Sequence, residues 1–148
     1  FVNLKVRQNQ HLQRKLTPDF VIDWLYKKVQ KQINKVNEIG KNFNYFTPFE
    51  SIFEKAEKAK QVISPGTQFG EGWLISGEIL SFASQGVNHV ISLQPFGCIA
   101  NHIVEKGIEK RIKSLCPQMN ILSLDFDSSV SDVNITNRLL LFIDNINN

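Results

Sequence analysis

The sequence is poor in sulfur, with two cysteines and one methionine in 148 residues. Cys98 and Cys116 lie 18 positions apart. That spacing is neither a zinc pattern nor a disulfide framework, and it fits a reducing cytoplasm. No apolar run approaches the roughly 20 residues that a bilayer requires, so no membrane partner is expected. A charged–apolar–small leader is missing from the N-terminus. The net charge of +3 is too small to point to nucleic acid. There is no phosphate loop with its lysine, no HExxH, no GxSxG and no CxxC. An ATPase domain is therefore not expected in these residues. Glycine is scarce at the front: Gly40 alone of the eight precedes residue 60.

What is present divides unevenly. Residues 1–74 carry 12 basic and 7 acidic side chains, and residues 75–148 carry 5 and 7. The front reads as helical and basic, the back as α/β with functional turns. We expect a mainly helical segment over 1–65 and an α/β domain over 66–148. Because the sequence opens on Phe1 rather than Met, we expect a piece of a longer polypeptide. Its wealth of Asn, Ile and Lys fits an AT-rich bacterial genome.

Phe1–Val6 alternates in part and predicts a short edge strand. Thr17-Pro18-Asp19 starts a helix, with Thr as N-cap and Pro in the first turn. Val21, Trp24, Leu25, Val29, Ile33 and Val36 then recur at helical spacing as far as Gly40, expected as a left-handed cap. Lys27, Lys28, Lys31 and Lys35 mark its solvated side. Thr47-Pro48 predicts a second helix start. A third helix, with Leu74, Ile75, Ile79, Phe82 and Ala83 on one face, stops at Gly86. Strands are expected near 88–94 and 120–126, joined by a helix over 101–115. A closing helix over 131–146 is expected to turn Val133, Leu140, Ile143 and Ile146 inward. Strand, helix, strand and helix with short loops make a parallel βαβ unit. Trp24, Ile33, Ile75, Ile79, Val90, Ile91, Ile103, Ile108 and Leu122 are the expected core.

Ligands of parallel sheets bind beyond the carboxyl ends of the strands. That rule selects Gln94-Pro95-Phe96-Gly97-Cys98 and Asp125-Phe126-Asp127-Ser128-Ser129. Cys98 opens a helix, where unpaired amides and the helix dipole favour a thiolate. Gly97 permits an unusual backbone angle and the close approach of a ligand. His102, four residues on, is a candidate partner on the same face. Equally, Cys98 is a packing residue and His102 a surface one. Asp125 and Asp127 suit a hydroxyl or a magnesium ion, or else a helix cap and loop amides. Asn134 and Arg138, spaced i and i+4, present a polar patch toward the same loops. We expect Cys98 near a cleft bordered by the 94–98 and 125–131 loops, and Cys116 away from it.

Gly70-Glu71-Gly72-Trp73-Leu74, Gln94-Pro95-Phe96-Gly97-Cys98-Ile99-Ala100-Asn101-His102, Asp125-Phe126-Asp127, Asn134 and Asn137-Arg138 together resemble one family. It is the C-terminal part of the large 2-hydroxyacyl-CoA dehydratase activator-related proteins. The resemblance covers roughly residues 66–146, and QPFGC followed by NH is its most specific element. It implies a bacterial setting in anaerobic metabolism, and a full-length protein that joins an ATP-dependent activase region to one similar to the dehydratase subunits. Those subunits are Rossmann-like and hold a four-iron four-sulfur cluster through cysteines. By that likeness Cys98 is a candidate cluster ligand. Gly97, His102, Asp125, Asp127, Asn134 and Arg138 are the candidate residues around it. The other cluster ligands are absent here, so they would come from the rest of the polypeptide or a dehydratase-like subunit, and this fragment alone is expected to be non-catalytic. Two further expectations stay open. One is a scaffold domain that docks on a partner subunit. The other is a small enzyme with Cys98 as nucleophile and His102 as base.

Overall fold

The computed structural model describes residues 19–67, 70–127 and 131–147. Its elements are α1 (Asp19–Gly40), α2 (Ile52–Ala59), α3 (Gly72–Ser84), β1 (His89–Pro95), a π-helical turn (Ala100–Glu105), α4 (Lys106–Leu115), β2 (Asn120–Phe126) and α5 (Asp132–Asn147). The expected edge strand at Phe1–Val6 and the Thr17-Pro18 helix start lie outside the described residues. None of the helices among these residues is long and apolar enough to cross a membrane.

The periodicity of α1 places Ile22 inside, and Tyr26 meets Phe53 edge to face at 5.3 Å. Trp24, an expected core residue, is 57% exposed. Its ring instead lies under Lys28, whose Nζ is 4.7 Å from the ring centroid. Gly40 ends the helix without a positive φ, contrary to the expected cap. A Cβ there would sit 2.4 Å from the Phe46 ring, so glycine is needed for close packing.

The second helix starts at Ile52, later than Thr47-Pro48 suggested. Ser51 caps it: its Oγ accepts from the Phe53 amide, and Glu54 accepts from the Ser51 amide at 2.9 Å. Two first-turn donors are thereby satisfied by a Ser-x-x-Glu box. α2 packs on α3 so closely that a Cβ on Gly77 would meet the Lys55 carbonyl oxygen at 2.7 Å. Ala56, Ala59 and Trp73 fill this contact. Ser76 and Ser81 of α3 are buried, while Phe82 is exposed. The helix is therefore covered on more than its expected apolar face, since α2 and the π-helical turn both pack on it.

Gly86, at φ +81°, turns the chain from α3 toward β1. β1 and β2 pair in parallel, His89 opposite Asn120 through Pro95 opposite Phe126. Both strands and their parallel sense agree with the sequence reading. The sheet has two strands among the described residues, so the fold is mixed α/β with a parallel unit. One face of the sheet joins a core of Ile79, Val104, Ile108, Ile112 and Met119, with Val90 and Ile121 packed against it. On the other face Leu124 and Phe142 of α5 are buried, while β1 is open at Ile91 and Leu93. Ile91, expected inside, is on that face and 44% exposed.

The expected helix over 101–115 begins as a π-helical turn. Its wider winding shifts the positions that follow, and Ile103 is 65% exposed while Val104 is buried. α5 is also rotated from the expected orientation. Phe142 is buried against His89 at 6.2 Å, whereas Val133, Leu140, Ile143 and Ile146 are exposed. Leu139 to Ile143 is one unbroken apolar run, so two stripes satisfy helical spacing. The helix uses the one through Ile135, Leu139 and Phe142.

Candidate functional site

The carboxyl ends of β1 and β2 lie side by side, because the register puts Gln94 opposite Asp125 and Pro95 opposite Phe126. After Pro95 the chain turns sharply, the Cys98 amide donating to the Pro95 carbonyl at 3.1 Å. Gly97 occupies this turn at φ +76° with open space around it, so conformation and not crowding calls for glycine. Cys98 is thereby delivered to the start of the π-helical turn, half-buried.

Its thiol donates to Asn101 Oδ1 at 3.4 Å. Asn101 is fixed in turn, because its Nδ2 donates to the Leu93 carbonyl at 2.6 Å. The imidazole of His102 bridges two chain segments. Its Nδ1 is 3.0 Å from the Cys98 carbonyl oxygen and its Nε2 is 3.3 Å from Asp125 Oδ1. Lys106 Nζ approaches the same carboxylate oxygen at 3.5 Å. His102 and Asp125 are thus brought together with Cys98, as the sequence suggested, but not as a thiol and its base. No ring nitrogen faces the sulfur.

A second tier lies beneath. Glu105 is fully buried and accepts from Gln94 Nε2 and from Ser123 Oγ, the latter at 2.8 Å. One carboxylate therefore ties the turn to both strands. Gln94 Oε1 and Asp125 Oδ1 are buried and without a hydrogen bond among the described residues. Arg138 reaches the sheet from α5, its Nη2 donating to the Ser123 carbonyl at 2.6 Å. Asn134 is exposed and makes no hydrogen bond to this cluster among the described residues. Asp127 is exposed beside residues 128–130, which lie outside the described residues, as do Ser128 and Ser129 and that wall of the expected cleft. Glu105, Ser123 and Lys106 were not foreseen. For Glu105 a signal existed: Asn101, Glu105, Ile108 and Ile112 share one helical stripe, so an acid heads an apolar row.

The donor set does not fit a four-iron four-sulfur cluster held by this chain, since such clusters are bound by about four cysteines. Cys116 ends α4, its amide donating to the Ile112 carbonyl, and it packs on the core. It is separated from Cys98 by the turn and α4, roughly 25 Å at helical rise. No group of three or more His, Cys, Asp or Glu side chains among the described residues is placed to hold a metal ion. The chain can offer one thiol at the carboxyl edge of its sheet, flanked by the Asp125 carboxylate with His102 at 3.3 Å and Lys106 at 3.5 Å.

A second polar assembly joins α2 to α3, away from this edge. Glu50 accepts from Lys58 at 2.7 Å and from Ser81 at 2.6 Å. Burial pushes the Glu50 pKa up. The bonds from Lys58 and Ser81 and the nearby lysine charges outweigh this and hold it below its ordinary 4.5. No family model, no curated protein and no solved structure matches the chain.

Proposed function

We propose that the chain is the α/β portion of a protein of the 2-hydroxyacyl-CoA dehydratase activator-related kind. In this reading it presents the Cys98 turn to the rest of its polypeptide or to a dehydratase-like subunit, and performs no chemistry alone. The observation that supports this is the apolar surface around that edge. Ile91, Leu93, Phe96 and Phe126 of the strands and their turn are exposed, together with Leu140 and Leu141 of α5. Leu93 is 57% and Leu141 65% exposed. Large apolar side chains left exposed in number suit a protein contact site. Within it the Cys98 thiol is held by Asn101 and Asn101 by the Leu93 carbonyl, which suits a surface to be covered.

The test is an iron measurement on the full-length protein, or on its complex with a dehydratase-like subunit, prepared anaerobically. Cys98→Ala is expected to lose bound iron, and Cys116→Ala to keep the parental amount. Equal iron in parent and both variants would remove the dehydratase reading. It would favour a scaffold domain, a role that the engagement of the Cys98 thiol by Asn101 also suits.

A further inference from the structure

The two edges of the sheet differ. Hydrogen bonding at its ends fixes which residues point where: the Asn120 amide donates to Asn88, and the Phe96 amide donates to Phe126. Within a parallel ladder the inward-pointing residues alternate. Even-numbered residues of β1 therefore direct their amides and carbonyls at β2. His89, Ile91, Leu93 and Pro95 direct theirs outward. Two of these outward carbonyls are taken, Leu93 by Asn101 Nδ2 and Pro95 by the Cys98 amide. Among the described residues, what is open is the stretch from His89 to Leu93, with the amides of 89, 91 and 93 and the carbonyls of 89 and 91. On the outer edge of β2, Arg138 already covers the Ser123 carbonyl.

Beside the open stretch is a cavity of about 470 Å³ lined in succession by His89, Val90 and Ile91. Successive strand residues point to opposite faces, so a cavity touching all three runs along the backbone edge. Its far wall includes Phe49 and Phe82, with the Lys55–Glu78 ion pair also in the lining. A row of alternating N–H and C=O dipoles is matched by one chemistry, another extended backbone. The usual guards of an exposed edge, lysine or proline at outward positions, are missing between 89 and 93 and appear only at Pro95.

We infer that the outer edge of β1 from His89 to Leu93 is a strand-addition site. Its occupant is an extended, mainly apolar segment of a partner polypeptide, which becomes the third strand of this sheet. The inference rests on the docking role proposed above and names where that docking begins. The occupant pairs over about 13 Å of β1. Its side chains meet Phe49 and Phe82 on one face and extend the Ile91–Leu93 surface on the other. Pairing stops at Pro95, so the added strand leaves the Cys98 turn uncovered.

Amide hydrogen exchange on the isolated chain tests this without iron or a dehydratase subunit, so its failure is separable from failure of the family reading. In the chain alone the amides of His89, Ile91 and Leu93 are expected to exchange faster than those of Val90, Ser92 and Gln94. The probe is acetyl-Thr-Val-Thr-Val-Thr-Val-Lys-amide at millimolar concentration. It is expected to slow the three outward amides by about tenfold. The same peptide with proline at its central valine is expected to have no effect. Ile91→Pro removes an outward amide while leaving the β2 ladder whole, and should abolish the protection. The parental exchange pattern stands as a measurement even if that variant does not fold. Protection confined to β2 or α5, or none at saturating peptide, would overturn the proposal. So would outward amides already protected at every dilution. Protection that rises with protein concentration alone would replace the partner with a second copy.

Discussion

Glu105 is a carboxylate removed from solvent, so its two hydrogen-bond partners decide whether it stabilises the fold. Truncation would leave Ser123 Oγ without its acceptor and Gln94 Nε2 with the Asn101 carbonyl alone at 3.4 Å. Glu105→Ala is expected to lower unfolding stability by about 2–4 kcal/mol in urea titrations. Ile91 and Ile112 provide the contrast. Ile112 is wholly enclosed, and its replacement by Ala should cost about 2–5 kcal/mol. Ile91→Ala, where β1 is open, should cost about 1 kcal/mol or less. Glu50 contributes to stability on the acid side. Its pKa is lowered on folding, so the folded state holds fewer protons than the unfolded chain as pH falls through 4.5. Its contribution is therefore complete above that value and is lost as pH falls through the folded pKa. Glu50→Gln should shrink the difference in urea midpoint between about pH 6 and about pH 3. An unchanged difference would show that the Lys58 and Ser81 contacts do not persist in solution.

At the scale of elements, the sequence displayed more than it resolved. Both strands were legible because short apolar runs ended at Gly86 and Pro95, and the change from helical to strand spacing was abrupt. The start of α2 was misjudged because Thr47-Pro48 imitates a helix start, while the Ser51-x-x-Glu54 box that determines it went unread. Ser51→Ala should therefore cost about 1 kcal/mol, and Thr47→Ala almost nothing, in the same titration. The orientation of α5 was not legible for a different reason. Five consecutive apolar residues, Leu139 to Ile143, leave the helical phase undetermined, and the Arg138 bond to Ser123 with the Phe142 contact to His89 decides it. Periodicity also says which stripe is apolar, not whether this chain covers it. That is why Trp24 and Ile91 were placed inside and lie outside.

For the molecule as a whole, the candidate site was legible in outline and not in detail. Cys98, His102 and Asp125 converge because the parallel register sets one strand end beside the other, a relation that strand order alone implies. The Asn101 clamp and the Glu105 tie were hidden, since both depend on how the helix winds as it leaves the turn. That winding has a consequence for how such a molecule can vary. A π-helical turn holds one residue more than an α-helical path between the same two points needs. Between Cys98 and the first enclosed residue of α4, Ile108, the chain therefore carries a spare unit of length. Loss of a single residue there would be absorbed by rewinding to ordinary α-helix. The Cys98 turn, tied to the end of β1, would keep its setting on the sheet, and the repacking would fall on Val104 and Glu105 in between. The length of chain between the contact edge and the interior is a variable of its own, adjustable without moving either end.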